Sequence, residues 1–343
     1  MRVGLKKRAV ANAALTALLF ILLSKSPLVP SGIPYSLYET LIRSIGGNQA
    51  QEGVNINPNL PSSSVYDLLF REVSSPQEGN GAVIILIVLE SLGLTEDINL
   101  NKQVLSMVEK AMRQALNFSG YSISKVSNDK SLGGTLGAEL RYLCNLQTKE
   151  DFKSFKYSPA NSIKSAKCLP RLIQEKGGQT IYIHNGTTKF YNRDKIMKKV
   201  GFGEVYFQGR LNLLELLTLC SSRPFCGSDE NSYSTAKTVI SHLTKNSNAS
   251  SLINVLTIDS HGPYFGHYDA KESYKTEVAK ATLMLEEFIV TTLRTRKDMK
   301  TSIIITSDHP PALGEEHLCP RNKCNTLQDH TNKLYNFVYM IAN

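Results

Sequence analysis

"AVIILIVLES", residues 82–91, holds eight apolar residues in a row, rich in β-branched side chains, and then stops at Glu90-Ser91. A strand with one wet face alternates apolar and polar residues; an unbroken run of this length is expected of a strand buried on both faces. Such strands belong to parallel sheets covered by helices. Outward from this run the chain keeps the same rhythm. Val104, Met107, Val108, Ala111 and Met112 are spaced as one face of a helix over 102–116, and LGAELRYLC (136–144) repeats that spacing. TIYIH (180–184) reads as a strand, STAKTVISHLTK (234–245) as a helix, and INVLTID (253–259) as a strand. A long helix over 274–296, a strand at SIIIT (302–306) and a final strand at YNFVYMIA (335–342) complete the series. Strands alternating with helices predict an α/β fold with a mostly parallel central sheet and helices on both faces.

In sheets of this kind ligands gather at the carboxyl ends of the strands. Glu90-Ser91 follows the first strand, and His184-Asn185-Gly186 closes the second. Asp259, Ser260 and His261 follow the third, and Ser307, Asp308 and His309 follow the fourth. Four strands thus end in an acid, a histidine or both. Glu90, Asp308 and His309 form an O/O/N donor set for one divalent cation, Zn2+ or Mn2+. SLGGTLGAELRYLC puts Thr135 behind two glycines in the first turn of a helix. The ordinary role of a threonine there is an N-cap. The other is chemical, because a helix N-terminus favours phosphate and a coordinated hydroxyl becomes a nucleophile.

Composition bounds the rest. With 343 residues, 41% hydrophobic and 20% charged, the chain is that of an ordinary globular protein. Four cations of the +9 balance, Arg2, Lys6, Lys7 and Arg8, crowd the N-terminus, and VANAALTALLFILL (10–23) follows without a charge. Residues 1–30 therefore read as a secretory signal or, with no A-x-A site behind the apolar run, as an uncleaved anchor with its N-terminus inside. A buried helix is the plainer alternative. No basic stripe with interleaved aromatics and no zinc-finger or RNP pattern occurs, so nucleic acid is not an expected partner. The basic residues Lys195, Lys198 and Lys199 read as a solvated helix face. Residues 31–80, rich in Gly, Asn, Pro and Ser, read as a linker around a short amphipathic stretch, VYDLLFREV, and residues 81–343 as the catalytic domain. Six cysteines without a C-x-x-C spacing point to disulfides in an oxidising compartment, neighbour with neighbour: 144–168, 220–226 and 319–324.

"IVLESLG", "GGTLGAELRYLC", "IHNGTTKFYNRD", "IDSHGPY" and "TSDHPP" occur in this order along the chain. Together they resemble the lipoteichoic acid synthase and phosphoethanolamine transferase branch of the alkaline phosphatase/sulfatase superfamily, over residues 81 to about 335. The resemblance implies the fold of that superfamily, with Glu90, Thr135, Asp308 and His309 on the metal and Thr135 as nucleophile. It implies that His184, Tyr191 and Arg193 bind substrate, Tyr191 standing where that family often has Trp. His261 and His317 become the catalytic histidines, with His261 also near the phosphoryl group. The implied donor is a membrane phospholipid, and the implied acceptor a cell-envelope glycan. The implied place is the periplasmic or extracellular side of the cytoplasmic membrane. Members of that branch often carry several N-terminal membrane helices and continue further at the C-terminus, so by this resemblance the domain is C-terminally short. A sulfatase would need Cys or Ser in a C/S-x-P-x-R motif; T-L-G-A-E stands here instead. A hydrolase that hands the intermediate to water, and an inactive membrane-anchored binding module, are the alternatives left open.

Overall fold

The apolar run is strand β1, Val83–Leu89, with every residue buried. The computed structural model describes residues 63–74, 81–95, 97–117, 120–130, 135–146, 168–186, 193–207, 228–243, 249–260, 270–297, 299–311, 313 and 335–342. All of them fall in one compact unit formed by Gly53–Arg210 and Gly227–Asn343. The N-terminal segment 1–30, Tyr191, His261, His317 and cysteines 220, 226, 319 and 324 lie outside the described residues.

In chain order the described elements begin with helix α1 (Ser64–Ser74), β1, α2 (Ile98–Leu116), β2 (Ser122–Lys130) and α3 (Thr135–Cys144). They continue with α4 (Leu169–Glu175), β3 (Thr180–His184), α5 (Arg193–Val200), β4 (Glu204–Phe207) and α6 (Asp229–His242). The last four are β5 (Ser251–Leu256), α7 (Ala270–Thr295), β6 (Thr301–Ser307) and β7 (Tyr335–Ala342). The strands form one sheet in the order β2-β7-β6-β1-β5-β3-β4. β1 pairs in parallel with β5 and β6, and β3 in parallel with β5 and β4. β7 runs antiparallel to both β6 and β2.

The strand pleat sends successive side chains of β1 into two cores. Val83, Ile85, Ile87 and Leu89 pack with the layer of α2, α6 and α7. Ile84, Leu86 and Val88 pack with α1, α3, α4 and α5. Each fully buried Leu, Ile or Val contributes about 1.5–3 kcal/mol, so β1 is the best-anchored strand, and Glu90 is carried on its end.

The sequence-predicted alternation of strands and helices is present, with differences that have physical causes. The stretch 65–73, set inside a linker by its surroundings, is helix α1; Val65, Leu68, Leu69 and Val73 are buried in the second core. β2 went unpredicted because SISKVSNDK has no apolar run; it is an edge strand whose partner is β7. β4 is a short, partly exposed edge strand. β5 ends at Leu256, three residues before the predicted end, since Thr257, Ile258 and Asp259 turn away to build the rim of the site. Lys195, Lys198 and Lys199 are exposed on α5, as a solvated face requires.

Candidate active site

The site grows from the carboxyl ends of β1, β6, β5 and β3. Glu90 leaves β1 with its main chain held on both sides. Its N–H donates to Thr257 Oγ1 at 2.9 Å, and its carbonyl accepts from Ser260 Oγ. Ser91 then turns the chain at φ 57°, a left-handed conformation uncommon for a non-glycine residue. The turn aims the Ser91 N–H at Asp308 Oδ1 (2.8 Å), and the His309 N–H donates to the same oxygen at 2.7 Å. Two backbone amides thus fix Asp308 and leave Oδ2 facing His309 Nε2 at 3.4 Å. His309 Nδ1 donates to the Pro310 carbonyl at 2.7 Å, which orients the ring and turns Nε2 inward, 3.4 Å from Glu90 Oε1.

The loops after β1 and β6 meet at Gly93. Its N–H donates to the His309 carbonyl at 2.8 Å, and a Cβ there would lie 2.5 Å from the His309 carbonyl carbon and 2.6 Å from Pro310 N. Only glycine permits that approach. Behind them, Tyr142 on α3 donates to the Ser307 carbonyl at 2.6 Å, and Asn336 Nδ2 on β7 donates to the Asp308 carbonyl at 2.8 Å. Asn336 Nδ2 also donates to the Tyr142 hydroxyl at 2.6 Å, locking α3, β6 and β7 together.

Thr135 is the first residue of α3 and is buried. Its hydroxyl donates to Glu90 Oε1 at 2.8 Å. The far end of the same helix is fixed by the Cys144–Cys168 disulfide, the first of the expected pairs. It is also held by a buried ion pair, Arg141 Nη2 to Asp129 Oδ1, at 3.0 Å.

Ligand atoms of Glu90, Asp308 and His309 all lie within 4.8 Å of one another. The electrostatics of this cluster ask for a cation. Burial and then the neighbouring Glu90 push the Asp308 carboxyl above the usual carboxylate range. His309, although burial alone would lower it, is pushed up by Asp308 and by Glu90. The imidazole and the two acids thus bias one another's protonation at close range. A divalent ion with oxygen, oxygen and nitrogen donors, and the Thr135 hydroxyl beside them, fits the same place with more charge.

Two strands away, His184 ends β3 with Nδ1 toward the Leu256 carbonyl at 3.4 Å. Its Nε2 faces Arg193 Nη1, also at 3.4 Å. A Cβ on Gly186 would fall 2.3 Å from that Nε2, so the glycine leaves room for the ring. Arg193, the first residue of α5, is 1% exposed and ion-paired through Nη2 with Glu139 Oε2 at 3.2 Å. Glu139 Oε1 accepts from the Tyr182 hydroxyl at 2.9 Å. On the rim beyond, Asp229 accepts through Oδ1 from the N–H groups of Ile258 and Asp259, and the Asp229 N–H donates to Asp259 Oδ2 at 3.2 Å. This reciprocal clasp ties the start of α6 to the turn after β5.

The predicted residues Glu90, Thr135, Asp308 and His309 are brought together, and His184 and Arg193 form a second group. Sequence reasoning missed Glu139, Tyr142, Tyr182, Asp229 and Asn336. For Glu139 a signal existed: an acid one helical turn after Thr135, inside an otherwise buried helix. Asp229 and Asn336 carry no local mark.

The fold is that of the alkaline phosphatase/sulfatase superfamily. A sulfatase family model matches residues 82–337, and the chain belongs to that family. No curated protein sequence matches significantly. Among solved structures, the lipoteichoic acid synthase LtaP from Listeria monocytogenes aligns at TM-score 0.51 and 18% identity, over 87% of this chain and 70% of that one. The Streptococcus pyogenes phosphoglycerol transferase GacH, in complex with sn-glycerol-1-phosphate, aligns at 0.49 and 15%, over 84% and 78%. The periplasmic domain of Escherichia coli EptC, in complex with Zn, aligns at 0.49 and 13%, over 83% and 77%. At 18% identity the likeness to LtaP speaks for the fold alone.

Proposed function

We propose that this chain is a metal-dependent phosphotransferase that moves a phosphoglycerol or phosphoethanolamine head group from a membrane phospholipid to a cell-envelope glycan through a phospho-threonine intermediate. The observation that carries the reading is Thr135: a hydroxyl at a helix N-terminus, 2.8 Å from a carboxylate that belongs to a compact O/O/N ligand cluster. Glu90, Asp308, His309 and Thr135 would hold one Zn2+ or Mn2+ ion, which when bound lowers the pKa of the hydroxyl and draws charge from the phosphoryl oxygens. Thr135 Oγ1, its proton given up to solvent, attacks the donor phosphorus; the Oγ1–P bond forms and the P–O bond to diacylglycerol breaks. His261 or His317 gives the leaving oxygen its proton and later takes one from the glycan hydroxyl, whose oxygen attacks the phosphorus as the Oγ1–P bond breaks and Thr135 is restored. His184, Tyr191 and Arg193 grip the phosphate and its head group, Arg193 through its planar fork. The Cys144–Cys168 bridge supports an oxidising compartment, and residues 1–30 would anchor the domain there. Among the described residues no helix is long and apolar enough to cross a membrane.

The test is direct. Metal-loaded protein is incubated separately with phosphatidylglycerol and with phosphatidylethanolamine, and the Thr135 peptide is weighed. A glycerophosphate or ethanolamine-phosphate adduct is expected with one donor. Unmodified Thr135 with both would rule the reading out.

A further inference from the structure

Arg193 is not alone in its pocket, and its partner is placed with unusual economy. Glu139 is fully buried in mid-helix, one turn beyond Thr135 and therefore on the same side of α3. A buried carboxylate there is costly, and a well-packed apolar residue paired with an apolar neighbour would be at least as stable. Burial does push the Glu139 carboxyl up to about 7, against the opposing pull of Arg193 and then of the Tyr182 hydroxyl. Two contacts of Glu139 and one of His184 frame the guanidinium. Tyr182 fixes Oε1 at 2.9 Å, Oε2 takes Arg193 Nη2 at 3.2 Å, and His184 Nε2 receives Nη1 at 3.4 Å from the other side.

We propose that Glu139 is a positioning and specificity-determining residue: it orients Arg193 toward the phosphate site and cancels its charge, so that the site favours a monoanion over a dianion. The proposal rests on the phosphotransferase reading given above. It deepens that reading by assigning the choice of phosphodiester over phosphate monoester to one carboxylate. With Glu90 and Asp308 balancing a divalent ion, and Glu139 balancing Arg193, little positive charge is left over for a second negative charge on the ligand. A phosphodiester carries one charge. A phosphate monoester carries two at pH 8, above its second pKa.

Binding at pH 8, measured by titration calorimetry on full-length metal-loaded protein carrying Thr135→Ala to prevent turnover, tests this. The probes are bis(4-nitrophenyl) phosphate, 4-nitrophenyl phosphate and 4-nitrophenyl sulfate. The last two match in size and differ in charge. The parent should bind the diester and the sulfate ester more tightly than the phosphate monoester. Glu139→Gln should shift the monoester-to-sulfate affinity ratio toward the dianion by roughly tenfold, the scale of one nearby unit charge in a partly shielded site. The double variant Glu139→Gln/Arg193→Gln, which leaves no uncompensated buried ion, should bind all three more weakly and return the ratio to the parent's side. If Glu139→Gln does not fold, Arg193→Gln, which keeps Glu139 and removes the cation, should shift the ratio the other way, toward the sulfate ester. Binding of the esters with a ratio that neither single variant moves overturns the inference alone. Failure of every ester to bind the parent overturns the phosphate reading and this inference with it.

Discussion

The two halves of the site are built on opposite electrical plans. At the ends of β1 and β6, Glu90 and Asp308 are crowded beside His309, whose imidazole faces both acids. At the end of β3, Arg193 has its own counter-ion in Glu139 and a neutral acceptor in His184. Among the described residues the first half sets two acids against one imidazole, a donor set that a divalent ion would fit. The second is balanced, and its contribution is direction. A buried group left uncompensated invites a ligand of opposite sign; a compensated one can only guide what another group attracts.

The largest effect should come from the joint between the halves. Thr135→Ala removes the hydroxyl while leaving both charge clusters in place. Turnover should fall by roughly 10³-fold or more, as when a nucleophile is deleted, with the circular dichroism spectrum unchanged. Thr135→Ser should keep part of the activity. Full turnover by the alanine variant would end the assignment.

Next comes a change that breaks one half only. Asp308→Ala or Glu90→Ala deletes a charged donor, so elemental analysis should find the metal lost along with activity. Stoichiometric metal in the double variant would place the ion elsewhere. The mirror experiment is Arg193→Lys, which keeps the charge but loses the fork. Metal content should stay stoichiometric while KM rises roughly tenfold, the cost of losing one charge-assisted bidentate grip. Loss of metal there would show that the halves are not separate.

Smaller still is the effect of the bridge. Replacing Cys144 and Cys168 by Ser opens a link across a sequence separation of 24 residues and should lower unfolding free energy by about 3 kcal/mol in the loop-entropy model. Because α3 also presents Thr135, activity under mild reduction should decline before the unfolding transition is reached. Coincident loss of both would make the bridge a stabiliser only. The last effect is a slope, confined to one pH window. Folded Glu139 keeps its proton up to about 7 while the unfolded carboxyl releases it near 4.5. Between those values the folded state binds more protons, so this group's contribution to stability falls as pH rises through the window. In metal-free protein Glu139→Gln should flatten that part of the stability-against-pH curve; an unchanged slope would mean Glu139 ionises normally.

How far the sequence carried these conclusions differs between the same two halves. Glu90, Asp308 and His309 directly follow apolar runs, and a strand's end is readable wherever the run stops. The parallel core followed from those runs. His184 was legible in the same way at the end of TIYIH, whereas Arg193 came from the resemblance of "IHNGTTKFYNRD", and nothing local pairs Arg193 with Glu139, which reaches it only once α3 and α5 pack on the same face. β2 and β7 show the limit for strands. YNFVYMIA is apolar enough to be seen, but its reversed direction is set by pairing, and SISKVSNDK is held by that pairing and by the Asp129–Arg141 ion pair. Asn336, on the reversed strand, therefore lay beyond reach, although it grips the carbonyl of Asp308.

The strand order has one more consequence, which is metric. β1 and β3 are separated by β5 alone, and hydrogen-bonded strands lie about 4.8 Å apart. The gap between the ends of β1 and β3 is thus set at roughly 10 Å by backbone spacing, a ruler that no side-chain substitution can stretch. On the proposed reading, the phosphorus lies at the mark set by β1, and Arg193 must bridge the interval to it with the length of its own side chain, which a shorter residue at 193 could not do.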